Sequence, residues 1–173
     1  MLSFLQVATK TQIRAEDYLR MTFEHDAELV HGDIVERSMP DLIHSTTQYR
    51  VLLRFGSLTQ TRPLYPLPEL RLKVAPDVYR IPDVSVYADR PAQRVPDTPP
   101  LVAIEILSLD DRHSDLMQKL EEYRQWGVPH IWVVDPLTKR LSVYTELGLQ
   151  TVSSLTLPDY SFQLTPAELF SDL

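Results

Sequence analysis

Residues 81–107 read IPDVSVYADRPAQRVPDTPPLVAIEIL, and this segment predicts the centre of a β-sheet. It contains two short runs of apolar and β-branched residues, 84–88 (VSVYA) and 101–107 (LVAIEIL), which are bounded by prolines. Such runs are typical of strands that are buried inside a sheet. If the segment between them returns the chain antiparallel, the start of the first strand lies beside the end of the second.

Two acidic residues occupy those neighbouring ends. Asp83 opens the first strand and Glu105 lies near the end of the second, within a run where a lone buried charge would be costly. Adjacent carboxylates repel each other unless a cation lies between them, and hard oxygen ligands favour magnesium or manganese. The pattern therefore predicts a metal site. The alternative is that Asp83 caps a turn after Pro82 while Glu105 meets solvent or an arginine at the rim of the sheet.

The other predicted elements follow from hydrophobic periodicity and turn residues. Helical spacing covers 11–23, 44–59 and 115–126, and a closing helical turn follows Thr165 and Pro166. Strands are predicted at 64–74, 130–134 and 140–144, and as a hairpin within 28–37. This order predicts an α/β (α+β) fold with a mixed central β-sheet flanked by helices and an N-terminal β-hairpin.

Length and composition restrict the class of protein. The 173 residues suit a single domain, 1–173, with an N-terminal helical segment (1–26) and a core (27–173). No stretch approaches the roughly 20 apolar residues of a membrane span, and the N-terminus lacks a basic leader. The absence of cysteine excludes thiolate catalysis and suits a reducing compartment. We therefore predict a cytoplasmic protein with no membrane partner.

Charge and missing motifs exclude further classes. The net charge of −7 is unusual for a protein that coats nucleic acid, although a bound divalent cation reverses the local field in an enzyme. No Gly-rich phosphate loop, nucleophile elbow or His-rich zinc helix occurs in the sequence. Among the enzyme classes considered, one that uses a metal bound by oxygen ligands is still compatible with the sequence.

Lys119 lies at the margin of the helix face that is predicted to pack toward the sheet. An ammonium beside a metal and a scissile phosphate orients water and stabilises charge on the phosphoryl oxygens. The alternative is an ordinary solvated lysine on the helix surface.

Several motifs resemble one known family. They are EDYL (16–19), ELVHGDIVER (28–37), IPDVSVY (81–87), LVAIEILS (101–108), DLMQKLEEYRQWGVPHIWVVDP (115–136) and RLSVY (140–144). Together they resemble the Uma-two family of restriction-endonuclease-like proteins, within the PD-(D/E)XK nuclease superfamily. The resemblance implies that Asp83 and Glu105 bind metal. Leu107 stands where the superfamily usually has lysine, and the resemblance places the substitute at Lys119.

The likeness has two departures, Leu109 in place of a common proline and Ala27 in place of a common tyrosine. It also implies that Glu28 and His44 lie near the site. Plain alternatives are that Glu28 pairs across its hairpin and that His44 caps or leads its helix.

Three further residues are candidates for lining the site: Glu69, Ser85 and Tyr123. The resemblance implies hydrolysis of DNA phosphodiesters, with Mg²⁺ or Mn²⁺ held by Asp83, Glu105 and the Ile106 carbonyl. Restriction-like nucleases often pair to cut two strands, so a homodimer is a further expectation. The rival hypotheses are an inactive nuclease-fold module that binds DNA or protein, and a metal enzyme acting on a non-nucleic phosphate ester.

Overall fold

The computed structural model describes residues 12–58 and 64–171. The helices are α1 (Ala15–Tyr18), α2 (Leu42–Gly56), α3 (His113–Trp126) and α4 (Pro166–Phe170), with a 3-10 turn at Pro158–Tyr160. The strands are β1 (Ala27–Val30), β2 (Asp33–Glu36), β3 (Tyr65–Pro68), β4 (Leu72–Ala75), β5 (Val78–Arg80), β6 (Val84–Tyr87), β7 (Val102–Ile106), β8 (His130–Asp135), β9 (Arg140–Thr145), β10 (Gly148–Val152), β11 (Leu155–Leu157) and β12 (Phe162–Leu164). None of the described helices combines the length and apolar character that crossing a membrane requires.

The main sheet has the strand order β10-β9-β8-β7-β6-β3. The β7/β8 pair is parallel, and the other neighbours are antiparallel, so the prediction of a mixed central sheet is confirmed. Helix α3 connects the two parallel strands as a crossover, which is the connection that parallel neighbours need.

The two faces of this sheet carry separate apolar clusters. One cluster joins α2 to the sheet and the C-terminal elements, and Phe55 stacks on Phe162 there with ring centroids 4.3 Å apart. The other cluster packs Leu120 and Tyr123 of α3 against Ala103 and Ile131. The central strands β6, β7 and β8 are therefore buried on both sides, as the apolar strand runs predict.

A second sheet, β2-β1-β5-β4, contains the predicted N-terminal hairpin. Its turn uses His31 and Gly32, both at positive φ. A Cβ on Gly32 would lie 2.7 Å from the Cβ of Gln12, so glycine is needed there for space as well as for conformation. Pairing of β1 with β5 brings the hairpin beside the residues that lead into Asp83.

The prediction of one strand at 64–74 is wrong. The chain forms β3 in the main sheet and β4 in the second sheet, with Glu69 between them at a φ of 47°. The left-handed residue turns the chain out of one sheet and into the other, which an alternating pattern of apolar residues does not reveal.

Other element boundaries also differ. Helix α1 is much shorter than the predicted 11–23, while Thr11 and Thr59, the predicted ends of two helices, lie outside the described residues. Strands β5, β10, β11 and β12 were not predicted, because each is short or has a mixed composition. Helix α3 ends as predicted, with Gly127 in the left-handed conformation.

Candidate active site

Strands β6 and β7 place the two predicted carboxylates at one end of the main sheet. The strands pair antiparallel with Val84 opposite Ile104, and continuing this register by one residue sets Asp83 opposite Glu105. Residues opposite each other in an antiparallel pair project from the same face. The Asp83 and Glu105 side chains are only 5% and 8% exposed, so neither is the solvated rim residue of the alternative hypothesis.

Two groups donate to the Asp83 carboxylate, and a third lies close to it. Arg37 Nη2 lies 2.6 Å from Oδ1, the Ile106 amide donates to Oδ2 across 2.6 Å, and His44 Nε2 lies 3.4 Å from Oδ2. Burial acts to raise the pKa of Asp83, but the contact with His44 and the charges of His44 and Arg37 outweigh it and lower that pKa. Asp83 is therefore a carboxylate held by its surroundings in the ionised form.

Glu105 has a different environment. Its Oε1 accepts a hydrogen bond from the Tyr123 hydroxyl at 2.7 Å, and its Oε2 lies 3.3 Å from Lys119 Nζ. Burial raises the pKa of Glu105 to about 7; Lys119 works against this shift, while the nearby Asp83 and Glu28 add to it. The two neighbouring acids thus differ in their affinity for a proton.

Lys119 links Glu105 to a third carboxylate, because its Nζ also lies 3.2 Å from Glu28 Oε1. Its side chain is 16% exposed, so the alternative of a solvated surface lysine is wrong. Burial disfavours the ammonium, yet the charges of Glu105 and Glu28 prevail and raise the pKa of Lys119. The group stays protonated and acts as a hydrogen-bond donor.

Glu28 belongs to a buried ionic network. Its Oε1 accepts from the Ile81 amide and its Oε2 from Arg80 Nη1, each at 2.8 Å, and Arg80 Nε donates to Glu122 Oε2 at 2.6 Å. The network joins β1, the segment before β6 and helix α3. Glu28 thus connects the second sheet to the site instead of pairing across its hairpin.

These groups line a cavity of about 400 Å³. Its wall contains more acidic than basic side chains. The acidic residues are Glu28, Glu36, Glu69, Asp83, Glu105, Asp110, Asp111 and Asp115, and the arginines and lysine are Arg37, Arg80, Arg112 and Lys119. A phosphate anion entering this cavity meets a negative field unless an additional cation is bound.

The remaining candidates occupy different positions. His44 lies in the first turn of α2, where its backbone amide donates to the N-cap Asp41 at 2.7 Å, and its ring lines the cavity. Glu69 lies at the cavity wall, 3.9 Å from Arg37 Nη1. Ser85 and Tyr123 are buried and do not line the cavity; Tyr123 contacts Glu105 from behind the wall, whereas Ser85 Oγ has no hydrogen-bond partner among the described residues.

The donor set fits a hard divalent cation. Within residues 12–58 and 64–171, no group of three or more His, Asp or Glu side chains is arranged to hold a metal, and the cavity offers Asp83 and Glu105 as a pair of neighbouring carboxylates. The Ile106 amide points toward β6, as its bond to Asp83 shows, and the carbonyl of a strand residue points the same way. Continued register places Ile106 opposite Pro82, which has no amide hydrogen for that carbonyl.

The sequence pattern did not indicate two positively charged residues of the site, Arg80 and Arg37. Arg80 directly precedes the Ile-Pro-Asp segment, and that proximity was an available signal. Arg37 gave no comparable signal, because it reaches Asp83 from a hairpin that is 46 residues away in the chain.

Comparison with known families decides the relationship. A family model described as "Putative restriction endonuclease", Uma2, matches residues 15–168. The chain belongs to the Uma2 family. The resemblance that the sequence motifs carry is therefore confirmed, and the Uma2 match spans both sheets and all the candidate site residues.

A solved structure shares the fold of this Uma2 chain. It is the crystal structure of "a putative nuclease belonging to DUF820" from Anabaena variabilis ATCC 29413, with a TM-score of 0.82 and 23% identity. The match covers 92% of this chain and 98% of the other. Comparison with curated proteins gives no match. The fold shared with this structure and the membership of the Uma2 family are thus established.

Proposed function

We propose that the protein is a metal-dependent endodeoxyribonuclease that hydrolyses phosphodiester bonds in DNA. The observation that carries the proposal is the placement of Asp83 and Glu105 on one face at the end of β6 and β7, with Lys119 3.3 Å from Glu105. An acid pair with a neighbouring ammonium, in the wall of an accessible cavity, is suited to phosphoryl transfer.

Asp83, Glu105 and the Ile106 carbonyl are the groups that would hold Mg²⁺ or Mn²⁺. When bound, the ion neutralises charge on the phosphate and lowers the pKa of water. Its positive charge would also compensate the excess of acidic side chains in the cavity wall, and this electrostatic balance supports metal dependence.

The side chains divide the remaining work. Lys119 stays protonated, so it orients the attacking water and donates to phosphoryl oxygens instead of removing a proton. Tyr123 fixes one oxygen of Glu105, and the Ile106 amide fixes one oxygen of Asp83. Water forms a new bond to phosphorus as the bond to the sugar oxygen breaks. The water loses one proton and the departing oxygen gains one, giving a phosphate monoester and a hydroxyl.

Supercoiled plasmid DNA tests this proposal. We expect wild type to nick or linearise the plasmid with Mg²⁺ or Mn²⁺ and to stop on addition of EDTA. Asp83→Asn and Glu105→Gln should each reduce cutting by at least about 100-fold, whereas Asp77→Asn, at an exposed ion pair with His31, should not. Equal cutting by all four proteins, or cutting that ignores EDTA, would overturn the assignment.

A second function has one observation in its favour. Both Asp83 oxygens already accept from protein donors, as expected of a module that keeps the nuclease fold and binds DNA or protein without turnover. Calorimetry with Mn²⁺ separates the two functions. Binding that disappears in Asp83→Asn supports the enzyme, and absence of binding in wild type supports the module.

Three further predictions belong to the proposal. Pairing of two copies would place two sites on the two strands of a duplex, so we retain the prediction of a homodimer, and sedimentation of the pure protein tests it. Preference for duplex DNA over small phosphodiesters separates the proposed substrate from a non-nucleic phosphate ester. Cytoplasmic localisation stays a prediction, tested by fractionation.

A further inference from the structure

We infer that Arg37 is an exchangeable counterion of Asp83, which a metal ion must displace, so that this side chain sets the metal affinity of the site. The inference rests on the proposed function, since it concerns the same acid pair. It assigns a role to a residue that the sequence did not indicate.

The two oxygens of Asp83 are not equivalent. Oδ2 accepts from the Ile106 amide at 2.6 Å, which belongs to the backbone of β7 and is fixed by the sheet, and it also faces His44 at 3.4 Å. Oδ1 faces Arg37 at 2.6 Å. An incoming cation therefore finds Oδ2 held by the main chain and faced by His44, whereas Oδ1 is held by a side chain, so Oδ1 is the oxygen that rotation of Arg37 releases.

The contact between Arg37 and Asp83 is a strong one. Charge-assisted bonds of this length are stronger than neutral ones, and the two side chains are only 17% and 5% exposed. Screening by solvent is correspondingly weak. Arg37 thus competes with a metal ion for Asp83 more effectively than a surface arginine would.

The position of Arg37 allows it to move without unfolding its strand. It directly follows β2, the edge strand of the second sheet, and its backbone amide is held by the Asp26 carbonyl at 3.0 Å. Only the long side chain has to rotate. Glu69, 39% exposed and 3.9 Å from Arg37 Nη1, offers a second carboxylate at the cavity wall. The Arg37 guanidinium can therefore pair with Glu69 when Asp83 binds metal.

Metal binding without DNA tests the inference. Mn²⁺ affinity is measured by calorimetry and by electron paramagnetic resonance for wild type, Arg37→Met, Arg37→Gln and Arg94→Met. Methionine retains an apolar stem but removes the charge. Arg94 is the matched control, because it is exposed in the loop at the other end of β6 and β7.

Removal of the competing charge should tighten Mn²⁺ binding by about tenfold or more in both Arg37 variants and leave Arg94→Met at the wild-type value. In EDTA the Arg37 variants should melt at a lower temperature than wild type, and Mn²⁺ should raise their midpoint by more than it raises that of wild type. An Arg37 that only supports the fold would lower the melting temperature without tightening metal binding.

The failures are distinguishable. If wild type binds Mn²⁺ through Asp83 and both Arg37 variants bind equally or more weakly, the exchange is refuted while the proposed function stands. If none of the proteins binds Mn²⁺, both proposals fail. Binding by the Arg37 variants but not by wild type would show that Arg37 blocks the metal instead of exchanging with it, and would refute the exchange.

Discussion

The Tyr123 hydroxyl donates to Glu105 Oε1 across 2.7 Å, and both residues are buried. Tyr123→Phe removes this donor and leaves a buried carboxylate oxygen unsatisfied, so we expect a loss of about 1–3 kcal/mol in the free energy of unfolding. Groups that orient a metal ligand typically contribute about 10-fold to 100-fold in metal affinity, and Mn²⁺ binding should weaken to that extent. Urea denaturation and calorimetry measure the two effects.

Tyr144→Phe is the control for that substitution. Tyr144 of β9 donates to Glu121 Oε2 at 3.0 Å, and Glu121 lies on α3, the helix that carries Tyr123. Glu121, however, is paired at the surface with Arg124. The stability and Mn²⁺ affinity of this variant should stay close to wild type. Equal effects of the two tyrosine substitutions would contradict a special role for Tyr123.

Arg80→Ala tests the buried ionic network. The side chain is 5% exposed and donates to Glu28 and Glu122. Its removal leaves Glu28 short of a partner in the interior, and breaking a buried pair in this way typically costs about 3–5 kcal/mol. Arg124→Ala removes an arginine that is 40% exposed and paired with Glu121, and a much smaller loss is expected there because solvent screens the pair. Denaturant titration that ranked the two losses in the opposite order would contradict the network.

Lys119→Met separates binding of metal from catalysis. Loss of an oriented donor should reduce DNA cutting by about 100-fold to 1,000-fold. Removing a positive charge that lies 3.3 Å from Glu105 should not weaken Mn²⁺ binding. Cutting rates and calorimetry on the same preparation check both statements. A variant that keeps the wild-type rate would remove Lys119 from the catalytic group.

His130 gives a pH dependence that is independent of the site. Burial lowers its pKa below 6.5, with a smaller opposing effect from Asp159. The folded state therefore binds fewer protons at His130 than the unfolded state, so the stability due to this residue is present above pH 6.5 and declines as pH falls through the lowered pKa. We expect wild type to lose more stability than His130→Gln between about pH 8 and pH 5, measured by urea denaturation. Parallel curves would contradict this expectation.

The sequence predicts the centre of the fold better than its periphery. The apolar runs around Asp83 and Glu105 are rich in β-branched residues and bounded by prolines, and the amphipathic helix that carries Lys119 has a clear helical period. Their pairing was predictable because the antiparallel return fixes which strand ends meet. Strands such as β5 and β11 are three residues long, too short for a period to appear.

The partners of the carboxylates were harder to predict than the carboxylates. Arg37 reaches Asp83 only because β1 pairs with β5, and this pairing depends on the turn at Glu69 that takes the chain from one sheet to the other. Nothing in the local composition marks a change of sheet. Long-range contacts of this kind depend on the whole topology, whereas Tyr123 lies one helical turn from Lys119 and follows from local spacing.

Lys119 has a consequence for the mechanics of the molecule. Its ammonium contacts Glu28 of the second sheet and Glu105 of the main sheet, so one side chain links two sheets that the backbone joins through α2 and through two short segments. A shear between the sheets would pull the amine away from one acid or the other. The width of the cavity and the position of the Lys119 ammonium therefore change together.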